Sequence, residues 1–154
     1  FRNSLNLRDI KMANKKIVES LLALGIEGWV LENDVVVDNE TKFNANFKRV
    51  NGEDSTGTAT YSTDPNDFGV TWKQISDAFA DGGLVSLNIL RKQRNALLTE
   101  SDWTQTSDNA LSSDKKTEWE TYRQALRDLP AKAKPKLSDD AQSITNVTFP
   151  TKPS

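Results

Sequence analysis

The sequence predicts an α+β chain: a small N-terminal lobe of short strands and helices, then an antiparallel two-helix hairpin and an extended proline-containing tail. Three observations carry that prediction. Short β-branched and aromatic runs between turn residues occur before residue 83. Two long stretches with apolar residues three and four apart follow it. From Pro130 onward lie four of the chain's five prolines, with almost no periodicity.

Residues 1–16 carry Arg2, Arg8, Lys11, Lys15 and Lys16 against one acid, Asp9, and read as a basic arm, either solvated or docking. The lobe spans 17–83. Residues 14–24 suit a short helix, with Ile17, Leu21, Leu22 and Leu24 as its apolar stripe, Asn14 as its cap and Gly25 as its end. From Gly28 to Val37 two strands are expected around a turn at Asn33-Asp34. Residues 41–50 fit a strand or a helix, since Phe43 and Phe47 are four apart; a helix is expected. Polar turn residues fill 52–57, a strand follows over 58–62, and 64–67 is a turn. Residues 70–80 form a helix on Val70, Trp72, Ile75, Phe79 and Ala80, ended by Gly82-Gly83, the best internal boundary. Trp29 and Trp72, in apolar stretches, are core residues.

Residues 84–130 read as the hairpin. Its first helix, 84–99, places Leu87, Leu90, Arg94, Leu97 and Leu98 on one face. A loop over 100–111 leads to a second helix, 112–129. Ser112 or Ser113 caps it, Asp114 suits its positive end, and Pro130 stops it. Trp119, Tyr122, Ala125, Leu126 and Leu129 supply the shared seam. Residues 131–154 should be extended, and both ends of the chain are expected to need a partner to hold them.

Composition narrows the chemistry. Hydrophobic residues make up 36% of 154, below the roughly 45–50% of an average domain, so the molecule is rich in surface. The net charge is −2, and no basic stripe of the kind that binds nucleic acid is visible. Residues 1–83 hold 9 basic and 13 acidic side chains, residues 84–154 hold 11 and 9. Cys and His are both absent, which removes disulfides, thiolate nucleophiles, Cys/His zinc sites and the commonest general base. No apolar run approaches the roughly 18–20 residues that cross a bilayer, and residues 1–12 lack the apolar core of a signal peptide. Met12, followed by Ala13-Asn14-Lys15-Lys16, reads as an alternative translation start, so residues 1–11 need not be native.

Apparent motifs dissolve. Asp67-Phe68-Gly69 spells a kinase triplet without the accompanying glycine-rich loop. Residues 64–75 begin like a calcium loop but carry Phe68 fifth and Ile75 twelfth. No enzyme, metal or cofactor is expected. What remains is a protein surface. Trp103 either plugs the hairpin or forms a recognition surface with Trp119 and Tyr122. Arg91, Arg94, Arg123 and Arg127, with Asp102 and Asp128 as acid partners, form solvated pairs worth under about 1 kcal/mol, or stack on an indole for roughly 0.5–2 kcal/mol.

The string Leu90-Arg91-Lys92-Gln93-Arg94-Asn95-Ala96-Leu97-Leu98, then Ser101-Asp102-Trp103-Thr104-Gln105, is followed by Asp108-Asn109-Ala110-Leu111-Ser112. Trp119 and Tyr122-Arg123-Gln124-Ala125-Leu126-Arg127-Asp128-Leu129-Pro130 complete it. Residues 87–130 resemble the phage tail assembly chaperone family, whose domain also ends tail-fibre-like virion proteins. The tail departs from the family pattern, with Phe149-Pro150 where a Trp-Pro is usual. The resemblance implies a structural component of a tailed-phage virion, in or on the tail at the baseplate, fibre or adaptor region. The alternative it implies is a trans-acting chaperone absent from the mature particle. Implied partners are other tail or virion proteins, or further copies in a symmetric assembly, with no nucleic acid and no membrane. The chain would be made in the host cytoplasm and reside in the virion tail. Its interface candidates are Arg91, Arg94, Asp102, Trp103, Trp119, Tyr122, Arg123, Arg127 and Phe149.

Overall fold

The computed structural model describes residues 7–32 and 34–154. Residues 1–6 of the expected arm, with Arg2, and Asn33 of the expected turn lie outside the described residues. The described residues begin with helix α1 (Leu7–Ala13), which buries nothing, and α2 (Lys15–Ala23), which buries Ile17 and Leu21. Gly25, at φ +70°, turns the chain out of α2 as its position suggested.

Asn14 occupies the N-cap position of α2 as expected, but its side chain makes no capping bond. It is buried, its amide donating to the Val35 carbonyl at 2.8 Å and accepting from the Val37 amide at 2.9 Å. Strand β1 is correspondingly limited to Trp29–Leu31, and the expected second strand is absent from the described residues around Val35–Val37. A side-chain amide satisfies the peptide groups there, so the segment needs no ladder to place Val37 in the core.

Residues 41–50 divide between the two expected conformations. Helix α3 (Glu40–Asn46), capped by Asn39, runs directly into β2 (Phe47–Glu53). The change at Phe47 lets both phenylalanines enter one core, their rings stacked 4.8 Å apart. β2 is the centre of an antiparallel sheet of order β1-β2-β3, with β3 spanning Ala59–Ser62. Asp54 closes the β2–β3 turn by accepting from the Thr56 and Thr58 amides. A 3-10 turn at Pro65–Asp67 follows, then α4 (Trp72–Phe79), held by a reciprocal cap between Thr71 and Gln74. Phe43, Phe47, Phe68, Ile17, Leu21 and Ile75 are the fully buried centre, and Trp29 and Trp72 pack against it as expected.

Helix α5 (Leu84–Glu100) serves two neighbours. Its first turns bury Val85 with Ala78 of α4 and with Leu137 and Ala141 of the tail, a core shared across the Gly82-Gly83 pair. Gly83 is there because no side chain fits: a Cβ would sit 2.3 Å from the Asp77 carbonyl oxygen. The second half of α5 packs through Leu97 and Leu98 on α6 (Ser113–Lys132). Ser112 caps α6 from its hydroxyl, as expected. Pro130 does not stop it. Proline in the last turn removes only its own amide, and the helix runs on to Lys132, closed by the Ala133 amide on the Leu129 carbonyl at 2.9 Å.

Beyond α6, β4 (Lys136–Leu137) and β5 (Ile144–Thr145) pair antiparallel. Pro135, Leu137 and Ala141 are buried, and the Gly82 amide bonds the Pro135 carbonyl at 2.8 Å. The expectation that this end needs an outside partner is therefore corrected: the tail is held by its own chain, because it carries apolar residues that α4 and α5 have surface to cover.

Candidate functional site

Six of the nine interface candidates meet where α5 hands over to α6. The junction begins at Ser101, fully buried, whose hydroxyl donates to the Leu97 and Leu98 carbonyls at 2.9 and 3.0 Å and so closes the last turn of α5. A 3-10 turn, Asp102–Gln105, follows, with the buried Thr104 hydroxyl donating to the Ser101 carbonyl at 2.7 Å. Asn109 ties the loop's far side: its amide donates to the Thr104 carbonyl at 2.9 Å and to that of Thr106, and accepts from the Leu111 amide at 3.2 Å.

This stiff loop sets Trp103 edge-on against Trp119, ring centres 5.7 Å apart, and Trp119 in turn meets Tyr122 at 5.7 Å. Such pairs add roughly 0.5–1.5 kcal/mol beyond the area they bury. Burial separates the three. Trp119 is 4% exposed and Tyr122 is buried beside Leu126, while Trp103 is 51% exposed. Trp103 is thus both plug and surface: one edge closes the cluster, the rest of the indole faces out. Phe149 packs on the same cluster from the tail.

Arg123 locks the junction. At 7% exposed, it donates from Nη1 to the Leu98 carbonyl and to Ser101 Oγ, both at 2.7 Å, and from Nη2 to Asp102 Oδ1 at 2.9 Å. The guanidinium adds a charge-assisted bond to a carbonyl at the end of α5 that Ser101 also meets with its amide and hydroxyl. Its charge is balanced by a carboxylate that is 63% exposed. Arg123 therefore pairs with Asp102 as expected, but as a buried structural clamp rather than a solvated pair.

The remaining arginines stand elsewhere. Arg91 is exposed and touches Asn88 at 3.4 Å. Arg94 is half-buried, its Nε without a hydrogen-bond partner. Arg127 is exposed on a polar groove with Gln105, Glu120, Gln124, Asp128 and Lys132. Asp128 does not pair with an arginine, as had been expected. Gln124, and then Lys132, bond its carboxylate at 2.8 and 3.2 Å and hold it below its usual protonation range. The i,i+4 spacing places both on Asp128's own helix face, where they reach it first.

Sequence reasoning missed Ser101, Thr104 and Asn109. A Ser-Asp pair just after an apolar helical run, and an Asn within a short loop, were the available signals. All three spend their polar groups internally. The arrangement is a locked junction presenting one large, half-exposed indole. Among the described residues there is no cluster of three or more potential metal ligands, and no helix long and apolar enough to cross a membrane.

Compared with known families, residues 87–154 match the model described as phage tail assembly chaperone protein. This segment is similar to the phage tail assembly chaperone family. The match takes in all but the first three residues of α5, the Trp103 loop, α6 and the whole tail, so Phe149 falls within it although the tail has Phe149-Pro150 where a Trp-Pro was expected. The tail assembly chaperone domain covers less than half of the chain, and it ties the chain to a phage tail-related role. No curated protein and no solved structure matches the chain.

Proposed function

We propose that this protein is a resident structural component of a phage tail, held in the particle through protein–protein interfaces centred on Trp103. One observation carries the reading. The apolar seam of the tail assembly chaperone domain is closed by its own chain, with Trp119, Tyr122 and Leu126 covered by Leu97, Leu98, Leu111 and Phe149. A holdase for unfolded clients profits from an open apolar surface. A fixed neighbour needs only a preformed anchor, and a half-exposed tryptophan on a rigid loop is that kind of anchor. The lobe before the domain also shares a core with it through Ala78, Val85, Leu137 and Ala141, making one larger body for neighbours to grip. The reading involves no catalysis, cofactor, nucleic acid or membrane.

The second reading, a trans-acting chaperone that leaves before maturation, is favoured by the description of the family itself. Quantitative mass spectrometry of purified particles separates the two. Stoichiometric copies per particle are expected. Presence in the infected-cell lysate with absence from mature particles would overturn the resident role in favour of the chaperone.

A further inference from the structure

After β5 the chain turns at Asn146, whose φ of +63° lies in the left-handed region, and residues 147–154 run back along α6 as a strap. Phe149 seats on the Trp119, Tyr122 and Leu126 cluster. Pro150 and Pro153, both half-buried, wall a groove of about 780 Å³ whose other side includes Tyr122 and Ala125. Lys152 Nζ lies 3.4 Å from Glu100 of α5, with both side chains more than half exposed. Among the described residues no main-chain hydrogen bond ties 147–154 to the rest of the chain. The strap is held by side chains alone, which places it at the low-stability end of the molecule.

We propose that strap exchange joins copies of this chain: residues 147–154 of one copy dock on the α6 face of a second, in place of that copy's own strap. A second copy is the occupant that the contacts themselves specify. It brings the same Phe149 for the aromatic cluster and the same Lys152 for Glu100, so every strap contact is recovered and only the hinge at Asn146 changes. Exchange of an identical element needs no new complementary surface. Eight extended residues reach at most about 3.4 Å each, so exchanging copies must bring their α6 faces close together. The strap's own attachment gives it a local concentration of about the millimolar range. Dilute chains therefore stay closed, and exchange belongs to crowded copies.

The test uses the full chain, followed by light scattering across a concentration series, and a fluorescent peptide of residues 145–154. The wild-type mass is expected to rise toward the dimer as concentration approaches the millimolar range. Phe149→Ala in the chain loosens its own strap, so the unaltered peptide is expected to bind this variant at least about tenfold tighter than wild type, while the variant itself stays monomeric. A peptide carrying Phe149→Ala is expected not to bind either chain, a result independent of how the chain variant folds. The proposal is overturned if the wild-type chain remains monomeric throughout, or if the Phe149→Ala chain dimerises equally. Peptide binding without dimerisation also overturns it, since the face would then take straps from other proteins only. None of these outcomes depends on whether the chain resides in the particle.

Discussion

The Arg123 guanidinium crosses from α6 to the Ser101 hydroxyl at the end of α5, Nη1 to Oγ 2.7 Å, and the same nitrogen meets the Leu98 carbonyl at 2.7 Å. Two helices are thus joined by a buried cation that bonds main chain and side chain together, twenty-two and twenty-five residues away in sequence. The carboxylate that balances it, Asp102, faces water.

That asymmetry makes unequal predictions for the two partners. Arg123→Ala removes two buried charge-assisted bonds, to the Leu98 carbonyl and the Ser101 hydroxyl, together with the packing of the guanidinium between the helices, and should cost about 2–4 kcal/mol. Asp102→Asn keeps an acceptor at an exposed site and should cost under about 1 kcal/mol. Urea unfolding of the two variants checks this; equal losses would mean that the ion pair, rather than the buried bonds, holds the junction.

The two tryptophans should separate stability from recognition. Trp119→Ala opens a cavity in the cluster under Phe149 and should cost about 3–5 kcal/mol. Trp103→Ala removes a half-exposed ring and its edge contact, for about 1 kcal/mol. The proposed anchor role adds that Trp103→Ala, still folded by thermal melt, fails to enter particles in a complementation assay. Normal incorporation would remove Trp103 from the interface.

Gly83→Ala should be among the most damaging small substitutions in the chain. The new methyl carbon would lie 2.3 Å from the Asp77 carbonyl oxygen and 2.7 Å from that of Ala78, both main-chain atoms. Backbone on both sides would have to move, costing about 1–3 kcal/mol by the scale of overpacked cores. Because the shared core of Ala78, Val85 and Leu137 lies beside it, loss of the lobe–domain contact should appear as a lowered midpoint in thermal denaturation. An unchanged midpoint would refute the close packing.

Acid should loosen the β4–β5 turn before it unfolds the rest. The Asp140 carboxylate accepts from the Ser138 hydroxyl at 2.5 Å and the Gln142 amide at 3.1 Å, and the Ser138 bond above all holds it below its ordinary value of 3.8. A pKa lowered by folding contributes stability that is present above the unfolded value and lost as pH falls through the folded one. Carboxyl NMR should find the Asp140 midpoint below 3.8. Amide exchange at Ala141 and Gln142 should accelerate on acidification from about pH 5 to pH 2, beyond the intrinsic effect of pH, and Asp140→Asn should remove the pH-dependent part. A midpoint at or above 3.8 would contradict the turn geometry.

Much of the secondary structure was legible because its causes are local. Apolar residues three and four apart marked α5 and α6, Ser112 marked a start, and Gly25 marked an end. Where two local rules fitted the same residues, as over 41–50, the sequence favoured a helix and the structure uses both conformations. Phe43 and Phe47 are four apart, which suits a helix face, yet the chain places them in one core by changing from helix to strand between them. Pro130 followed a sound rule, but a missing amide in a last turn is a small penalty that packing overrides.

By itself the sequence determined the absence of Cys and His, the two helices that meet at the Trp103 loop and the aromatic residues along them. Only the tertiary structure decided which neighbour each surface meets. Asn14 reaches Val37, Arg123 reaches Leu98, Leu137 meets Val85 and Phe149 meets Trp119. Periodicity reports that a face is apolar, since that follows from residues a few places apart. It carries no information about what covers the face, because that is settled by segments brought together across the whole chain when the core closes.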